Sequence, residues 1–270
     1  MAIGVIVSGA NPPASIEKVK ALGLDNCQMS VPPPEWRSGE KLQELRKALA
    51  AAGITVTCVF SGYPGESYED IPTIRSTVGL VPAATREERL RLSYEHADFA
   101  YRIGAPVLAA HIGFVPDDTN HPDYQGTVAA VRALCDHCAG HGMKFALETG
   151  QETAQTLLRF IQDVGKPNLG VNFDPANMML YGSGDPIEAL DLVGRYVIGV
   201  HCKDGDYPAQ PGTLGHEYPL GQGKVGFPRF IQKLKDLGYT GPLTIEREIS
   251  GEQQMQDIRT AITLLESLRG

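Results

Sequence analysis

The chain has 270 residues, of which 42% are hydrophobic, and it carries a formal net charge of −8. This length and apolar content allow one large buried core, whereas an acidic surface repels phosphate backbones and argues against a nucleic-acid partner. No apolar stretch reaches the roughly 20 residues that a membrane helix needs, which argues against a membrane protein.

The predicted elements alternate along the whole chain between short β-type runs and helical patterns. The helical patterns place apolar residues at steps of three and four, and many end at a glycine, which is typical of a helix C-cap. The first run, in MAIGVIVSGA, lacks a basic leader and is therefore interpreted as a strand rather than a signal peptide. The eight predicted strands begin at Gly4, Asn26, Thr55, Pro106, Lys144, Val171, Val200 and Thr244.

Eight strands and eight helices in alternation predict parallel pairing through right-handed crossovers. We therefore predict an α/β fold, a single (β/α)₈ TIM barrel that forms one domain over residues 1–270. The alternative is a doubly wound open sheet, which more often carries a glycine-rich turn after its first strand. The segment VSGANPP, from Val7, does not match G-x-G-x-x-G, so the barrel is favoured.

Two long insertions interrupt the short loops between these elements. The first runs from Gly62 to Thr85 after the third strand, and the second from Asp204 to Gly226 after the seventh. Loops of this length in a compact domain are usually functional. We expect both insertions to contribute to the binding site.

The last four strands each end at or near a residue that can bind a metal ion: Glu148, Asp174, His201 and Glu246. In a TIM barrel the carboxyl ends of all strands face one mouth, where the chemistry takes place. Three carboxylates and one imidazole form an oxygen-rich ligand set, for which we expect Mn²⁺, with Mg²⁺, Co²⁺ or Zn²⁺ as alternatives. The competing interpretation is a buried ion-pair network with Lys144, Lys203 or Arg247.

These strand ends also carry a family resemblance. The fragments LETG, NFDPAN, VHCKD and TIERE, together with the segment that runs from PLGQGKVG to TIEREIS, resemble the xylose-isomerase-like superfamily of sugar phosphate isomerases and epimerases. The resemblance is specific over about residues 105 to 265. It implies the barrel fold, a small carbohydrate substrate, the four metal ligands named above, and assembly as a homodimer or homotetramer.

In the ketose 3-epimerase branch, the two glutamates at the positions of Glu148 and Glu246 also act as acid and base on opposite faces of the substrate. A divalent cation stabilises the enediolate that develops after a proton is removed beside a carbonyl. Returning the proton to the other face gives epimerisation, and returning it to the neighbouring carbon gives isomerisation. We therefore predict a metal-dependent sugar or sugar phosphate isomerase or epimerase. The alternative is a metal-dependent lyase or dehydratase that acts on a keto-sugar or inositol derivative.

The chain departs from the 3-epimerase pattern at three positions. Asn177 stands where those enzymes have a histidine, and Tyr207 stands where they have an arginine. Ala154 replaces a substrate-binding glutamate, so that Glu152 is the nearest acid. These departures put a free ketose substrate in doubt, and they leave dehydration or β-elimination open.

Further candidates for substrate contact lie at the predicted mouth. We predict this role for His111, at the end of the fourth strand, and for Asn177, Lys203, Glu152 and His216. For Lys203, pairing with a metal-binding acid is the alternative. Glu217, beside His216 in the second insertion, is a further candidate for contact with the ligand, and Trp36, after the second strand, could pack on a sugar face or anchor a loop.

Two motifs have weaker functional interpretations. GQGKVG, from Gly221, could cradle a phosphate with its backbone N–H groups, although it lacks the spacing of a P-loop. Cys135 and Cys138, with His141, have residue types found in zinc sites. Because they lie in a helical pattern and no second C-x-x-C exists, a packed helix is the preferred interpretation.

Three other predictions concern location and competing functions. Five scattered cysteines favour reduced thiols and a cytoplasmic location. An abasic-site endonuclease of the same superfamily is disfavoured, because that branch needs additional histidines and Asn177 stands where one of them would be. A catalytically silent sugar-binding protein remains the alternative from another functional class.

Overall fold

Eight parallel strands close into a barrel, and a separate pair of short antiparallel strands lies outside it. The computed structural model describes residues 1–270. The strands are β1 (Ile3–Val7), β2 (Asn26–Ser30), β3 (Thr55–Ser61), β4 (Val107–Ala110), β5 (Lys144–Glu148), β6 (Leu169–Phe173), β7 (Val197–Cys202), β8 (Asp204–Gly205), β9 (Glu217–Tyr218) and β10 (Leu243–Ile245).

Ten α-helices lie between these strands or follow the last of them. They are α1 (Pro12–Ala21), α2 (Gly39–Ala52), α3 (Ile71–Thr77), α4 (Ala83–Ile103), α5 (Pro122–Gly140), α6 (Ala154–Val164), α7 (Pro175–Leu180), α8 (Pro186–Val193), α9 (Phe227–Asp236) and α10 (Glu252–Arg269). Two short 3₁₀ turns, Pro34–Trp36 and Gly194–Tyr196, complete the regular structure.

The barrel has the strand order β1-β2-β3-β4-β5-β6-β7-β10, with β10 pairing back onto β1. All pairs in the barrel are parallel, and β8 pairs with β9 in antiparallel fashion. The prediction of a (β/α)₈ barrel is therefore confirmed. No helix is long and apolar enough to cross a membrane.

The structure contains four elements that the sequence patterns did not predict: α3, α7, β8 and β9. Helix α3 lies in the first insertion, and the β8–β9 pair lies in the second. Helix α7 begins directly after β6, where Asp174 accepts a hydrogen bond from the backbone N–H of Asn177 and Pro175 occupies the first turn. These elements have only two to seven residues each, which is too short for a hydrophobic period to be visible.

Successive side chains along each barrel strand point alternately toward the surrounding helices and into the barrel. Phe145, Leu147, Val171 and Phe173 belong to the large core between the barrel and its helices. Residues of the opposite parity point into the barrel, where Cys58, Ala109 and Ala146 form a small apolar cluster. Closer to the mouth the interior becomes polar, with Gln28, Asn172 and Thr244 all buried. The strand period therefore brings the residues at the strand ends into a common interior.

Candidate metal centre at the barrel mouth

The four predicted ligands meet at the carboxyl ends of neighbouring strands. Glu148 is the last residue of β5, Asp174 follows β6, His201 lies near the end of β7, and Glu246 follows β10. The Nδ1 atom of His201 lies 2.9 Å from Glu148 Oε1, 3.2 Å from Glu246 Oε2 and 3.8 Å from Asp174 Oδ2. One donor atom from each of the four residues lies within 4.8 Å of all the others.

These donor atoms fit the requirements of a divalent cation. Glu148 Oε1, Asp174 Oδ2 and His201 Nδ1 are buried and have no hydrogen-bond partner, although buried polar atoms are normally paired. With metal–ligand bonds of about 2.1 Å, neighbouring ligands of an octahedral ion lie about 3.0 Å apart and opposite ligands about 4.2 Å apart. The separations of 2.9 to 3.8 Å from His201 Nδ1 fall close to this range. The four residues are therefore a candidate metal-binding group.

A buried glutamine fixes the orientation of the histidine. Gln28 Nε2 donates to Asn172 Oδ1 at 3.1 Å and to Thr244 Oγ1 at 3.4 Å, so its Oε1 faces His201 Nε2 at 2.9 Å. Because this oxygen can only accept, Nε2 of His201 carries a proton in either charge state, so Nδ1 is the nitrogen that a cation would bind after displacing its proton. Asn172 in turn donates to Glu148 Oε2, which leaves Oε1 free. Such outer contacts set the tautomer of a metal-binding histidine.

We expect the substitution Gln28→Met to weaken Mn²⁺ binding about 10- to 100-fold, as is typical when an outer partner of a ligand is lost. Methionine has a similar volume but cannot hold the Nε2 proton of His201. Isothermal titration with Mn²⁺ measures the change. The matched control is Gln43→Met on the exposed face of α2. A Mn²⁺ affinity within twofold of the wild type in folded Gln28→Met protein would show that Gln28 has no such role.

A buried lysine balances part of the negative charge. Lys203 Nζ lies 2.7 Å from Glu248 Oε1, 3.4 Å from Glu246 Oε2 and 4.0 Å from Asp174 Oδ2. It also donates to Asn177 Oδ1 at 3.1 Å. A divalent cation and this ammonium group together would neutralise the three ligand carboxylates.

The pKa shifts follow from this crowding. Burial raises the pKa of Glu148 to about 7, although His201 opposes the shift. Burial would also raise the pKa of Glu246, but Lys203 and His201 outweigh it and hold that pKa well below its usual range. Burial would lower the pKa of His201, but Glu148 and Glu246 raise it well above its usual value. A bound cation would displace the His201 proton, so metal binding should release protons.

A cavity of about 350 Å³ opens above the four side chains. Of the residues named from the sequence, Glu246, His111, Asn177 and Glu217 line it. Burial lowers the pKa of His111 to about 3, so its imidazole is neutral, and its Nδ1 has no hydrogen-bond partner. Because Asn177 Oδ1 accepts from Lys203, its amide nitrogen remains available to a ligand in the cavity.

The other predicted substrate contacts do not line the cavity. Lys203 lies beneath it, surrounded by carboxylates. Glu152 is buried, and burial raises its pKa to about 8. His216 points to solvent, with its side chain 77% exposed, whereas its neighbour Glu217 lines the cavity. Consecutive residues in an extended segment point in opposite directions, which explains why Glu217 is inside and His216 is not.

Several cavity residues were not predicted from the sequence. Both insertions contribute to the lining, as expected, and the residues there that were not predicted are Tyr68 in the first and Leu214 and Gly215 in the second. Glu248 also lines the cavity. Its position two residues after Glu246 could have predicted this, because residues i and i+2 of an extended segment point to the same side. The remaining unpredicted lining residues are Phe60, Leu180 and Tyr181. Trp36 does not line the cavity and lies under Lys41 instead.

The GQGKVG loop does not offer its amides to a ligand. The backbone N–H groups of Gly221, Gly223 and Val225 all donate to the carboxylate of Asp204, at 2.9 to 3.1 Å. A Cβ atom at Gly223 would lie 2.2 Å from Asp204 Oδ1, which explains the glycine. The weaker interpretation of this loop as a phosphate cradle is therefore not supported, because an internal carboxylate already accepts from these N–H groups.

Comparison with known proteins agrees with the barrel fold. A family model described as "Xylose isomerase-like TIM barrel" matches residues 16–268. The chain is also similar to the crystal structure of a xylose isomerase domain protein from Planctomyces limnophilus. The sequences are 47% identical, the TM-score is 0.95, and the match covers 99% of this chain and 97% of that one.

Among curated proteins, the chain is similar to two sugar epimerases. It is 23% identical over 239 residues to D-psicose 3-epimerase from Ruminiclostridium cellulolyticum, covering 86% of this chain and 76% of the relative. It is 26% identical over 163 residues to L-ribulose 3-epimerase from a Methylomonas species, covering 55% of this chain and 52% of the relative. The chain thus spans about half of the length of this second relative.

Proposed function

The chain belongs to the xylose isomerase-like TIM barrel family, and on this premise we propose that it is a divalent-metal-dependent sugar epimerase or isomerase. The proposed metal ligands are Glu148, Asp174, His201 and Glu246. The observation that carries the proposal is the set of unpartnered buried donor atoms on three of these residues, which face one another and the fourth ligand beneath an open cavity.

Within this arrangement the chain's own residues supply the proton transfer. When bound, the cation supplies Lewis-acid stabilisation of the negative charge that develops on the substrate oxygens. Glu246 lines the cavity and is held ionised by Lys203, so it is suited to remove the proton beside the carbonyl. Glu148 approaches the same point from β5, on the other side of His201, and is the proposed partner for proton return. His111 and the Asn177 amide are the proposed contacts for substrate hydroxyls.

The charge of the cavity favours an unphosphorylated substrate. The cavity is lined by Glu217, Glu246 and Glu248 but by no lysine or arginine. Two cations that contact its lining carboxylates are already engaged: Lys203 by Glu248, and Arg247 by Glu217 and Asp257. A phosphate in this space would meet carboxylates without a partner of its own, and repulsion between like charges at close range is costly in a partly buried site.

The experiment is to incubate the Mn²⁺-loaded protein in D₂O with D-psicose, L-ribulose and related ketoses and aldoses, and to follow them by NMR. We expect solvent deuterium to enter the carbon next to the carbonyl while an epimer or isomer accumulates. Phosphorylated counterparts should react with a kcat/KM at least about tenfold lower. Equal or faster turnover of the phosphorylated sugars would contradict the charge argument.

The same experiment separates the competing functions. Deuterium entry followed by loss of water would identify the lyase or dehydratase alternative, which begins with the same proton removal. Absence of exchange into any of the sugars, in protein that is shown to hold Mn²⁺, would contradict the proposed epimerase and favour a sugar-binding protein.

A further inference from the structure

A second group of metal-binding side chains lies on the outside of the barrel, between α4 and α5. Asp98 comes from α4, His137 from the last turn of α5, and His141 directly follows α5. We call these three residues the helix-pair cluster. Because α4 and α5 end where β4 and β5 begin, the cluster lies toward the amino-terminal end of the strands. This is the face of a TIM barrel that serves stability rather than catalysis.

The three side chains already converge on a single point. His137 Nε2 lies 2.8 Å from Asp98 Oδ1, and His141 Nε2 lies 2.9 Å from the same oxygen. The three donor atoms lie within 4.8 Å of one another, and each side chain is 28 to 34% exposed, so an ion can enter from solvent. Ligands on a tetrahedral Zn²⁺ with bonds of about 2.0–2.1 Å lie about 3.3 Å apart. Small movements would therefore complete the site.

Aromatic packing holds both imidazoles in these orientations. Tyr94 stacks on His137 with ring centroids 4.6 Å apart, and Tyr101 stacks on His141 at 4.4 Å. Tyr94, Asp98 and Tyr101 share one face of α4, because residues at helical spacing are neighbours on the surface. Rigid support of the ligands reduces the ordering cost of binding an ion.

We propose that the helix-pair cluster is a second metal site, which binds Zn²⁺ or another imidazole-preferring transition metal and links α4 to α5. Two imidazoles and one carboxylate, with a fourth position left for water, are a ligand set that zinc accepts, and imidazole also suits Cu²⁺ and Ni²⁺. The site does not use Cys135 or Cys138, which are fully buried in the hydrophobic core and do not belong to the group of converging donor atoms. His141 thus belongs to a metal-binding group, but with Asp98 and His137 rather than with the cysteines.

The test is equilibrium dialysis of the full chain against Zn²⁺, comparing wild type with His141→Gln, Asp174→Asn and the double variant. The asparagine variant removes a proposed ligand at the barrel mouth, so the two sites are counted separately. We expect His141→Gln to bind one Zn²⁺ per chain fewer than the wild type. The double variant should likewise bind one Zn²⁺ per chain fewer than Asp174→Asn. The remaining affinity of the cluster should fall by at least about tenfold, the lower limit seen even for loss of an outer-shell partner. His121→Gln, which changes an exposed histidine outside the cluster, is the matched control.

Two further measurements keep the proposal falsifiable if one variant folds poorly. Cu²⁺ bound to the Asp174→Asn protein should give an electron paramagnetic resonance spectrum with two nitrogen ligands, and His137→Gln should reduce that number to one. Zn²⁺ should raise the melting temperature of Asp174→Asn protein but not that of the double variant. If Asp174→Asn and the double variant bind the same amount of Zn²⁺, or if Cu²⁺ shows no nitrogen ligands, the cluster is only a hydrogen-bonded group and the proposal fails.

Discussion

Replacing Glu246 with glutamine is expected to lower the rate of substrate proton exchange by about 10²- to 10⁴-fold, the usual contribution of a positioned acid or base. Glutamine keeps the length of the side chain and an oxygen that can face the cation, but its amide cannot accept the proton. The loss should therefore appear in kcat. It is measured as the rate of deuterium uptake from D₂O into the substrate, at saturating Mn²⁺.

The matched control is Glu252→Gln, the same change at an exposed position in the first turn of α10. The Mn²⁺ content of each variant separates loss of the base from loss of the ion. If Glu246→Gln protein holds Mn²⁺ and retains exchange within fivefold of the wild-type rate, Glu246 does not carry the proton.

The partner variant Glu148→Gln refines the same prediction. If the two glutamates act on opposite faces of the substrate carbon, each one removes the proton of a different epimer. Each variant should therefore lose proton exchange with one of the two epimers and keep it with the other. Glu148→Gln should then allow Glu246 to remove and return a proton on its own face, so that deuterium enters without epimerisation. Loss of exchange from both epimers to the same extent in both variants would indicate a shared structural effect instead.

The second large effect concerns the metal itself. We expect removal of the ion with a chelator to abolish turnover, and added Mn²⁺ to restore it. Binding should also stabilise the fold by about 2.7 kcal/mol when free Mn²⁺ is at 100 times its dissociation constant. For a chain of this size that corresponds to a rise in melting temperature of roughly 5–10 °C.

Asp174→Asn should lose both the Mn²⁺-dependent rise in melting temperature and the activity. Asp174 has two roles, because Oδ1 caps α7 while Oδ2 faces the other ligands. Asparagine keeps the cap but removes the charge, so the variant should fold. The matched control is Asp185→Asn, which makes the same change at the N-cap of α8, a residue that neither lines the cavity nor belongs to the proposed ligand set. An unchanged Mn²⁺ response in Asp174→Asn would remove Asp174 from the ligand set.

The barrel could be predicted because each strand and each helix has a hydrophobic period that can be recognised from its own residues. Eight alternating strand and helix units then favour closure into a (β/α)₈ barrel. The convergence of Glu148, Asp174, His201 and Glu246 could be predicted for the same reason, since the barrel places all its strand ends on one face. These predictions needed only the period of each element and the order of the elements.

The surroundings of the site depend on contacts between distant segments, which no local period encodes. Gln28 lies in β2, far from His201 in the sequence, yet it forms a hydrogen bond with it. The only sequence feature that could have pointed to this contact is that Gln28 is a polar residue within a predicted strand. Lys203 was predicted either to contact substrate or to pair with a metal-binding acid, and the three carboxylates from other segments that surround it favour the second interpretation. Whether His216 or Glu217 faces the cavity depends on the β8–β9 pair, whose strands of two residues each are too short to predict from the sequence.

The most direct test is an anomalous diffraction measurement on crystals of the Mn²⁺-loaded protein. We predict a strong manganese peak at the barrel mouth, with Glu148 Oε1, Asp174 Oδ2, His201 Nδ1 and a Glu246 oxygen at bonding distances of about 2.0–2.3 Å. A mouth without a peak at saturating Mn²⁺, or an ion held there by other side chains, would contradict the proposed ligand set and the chemistry that depends on it.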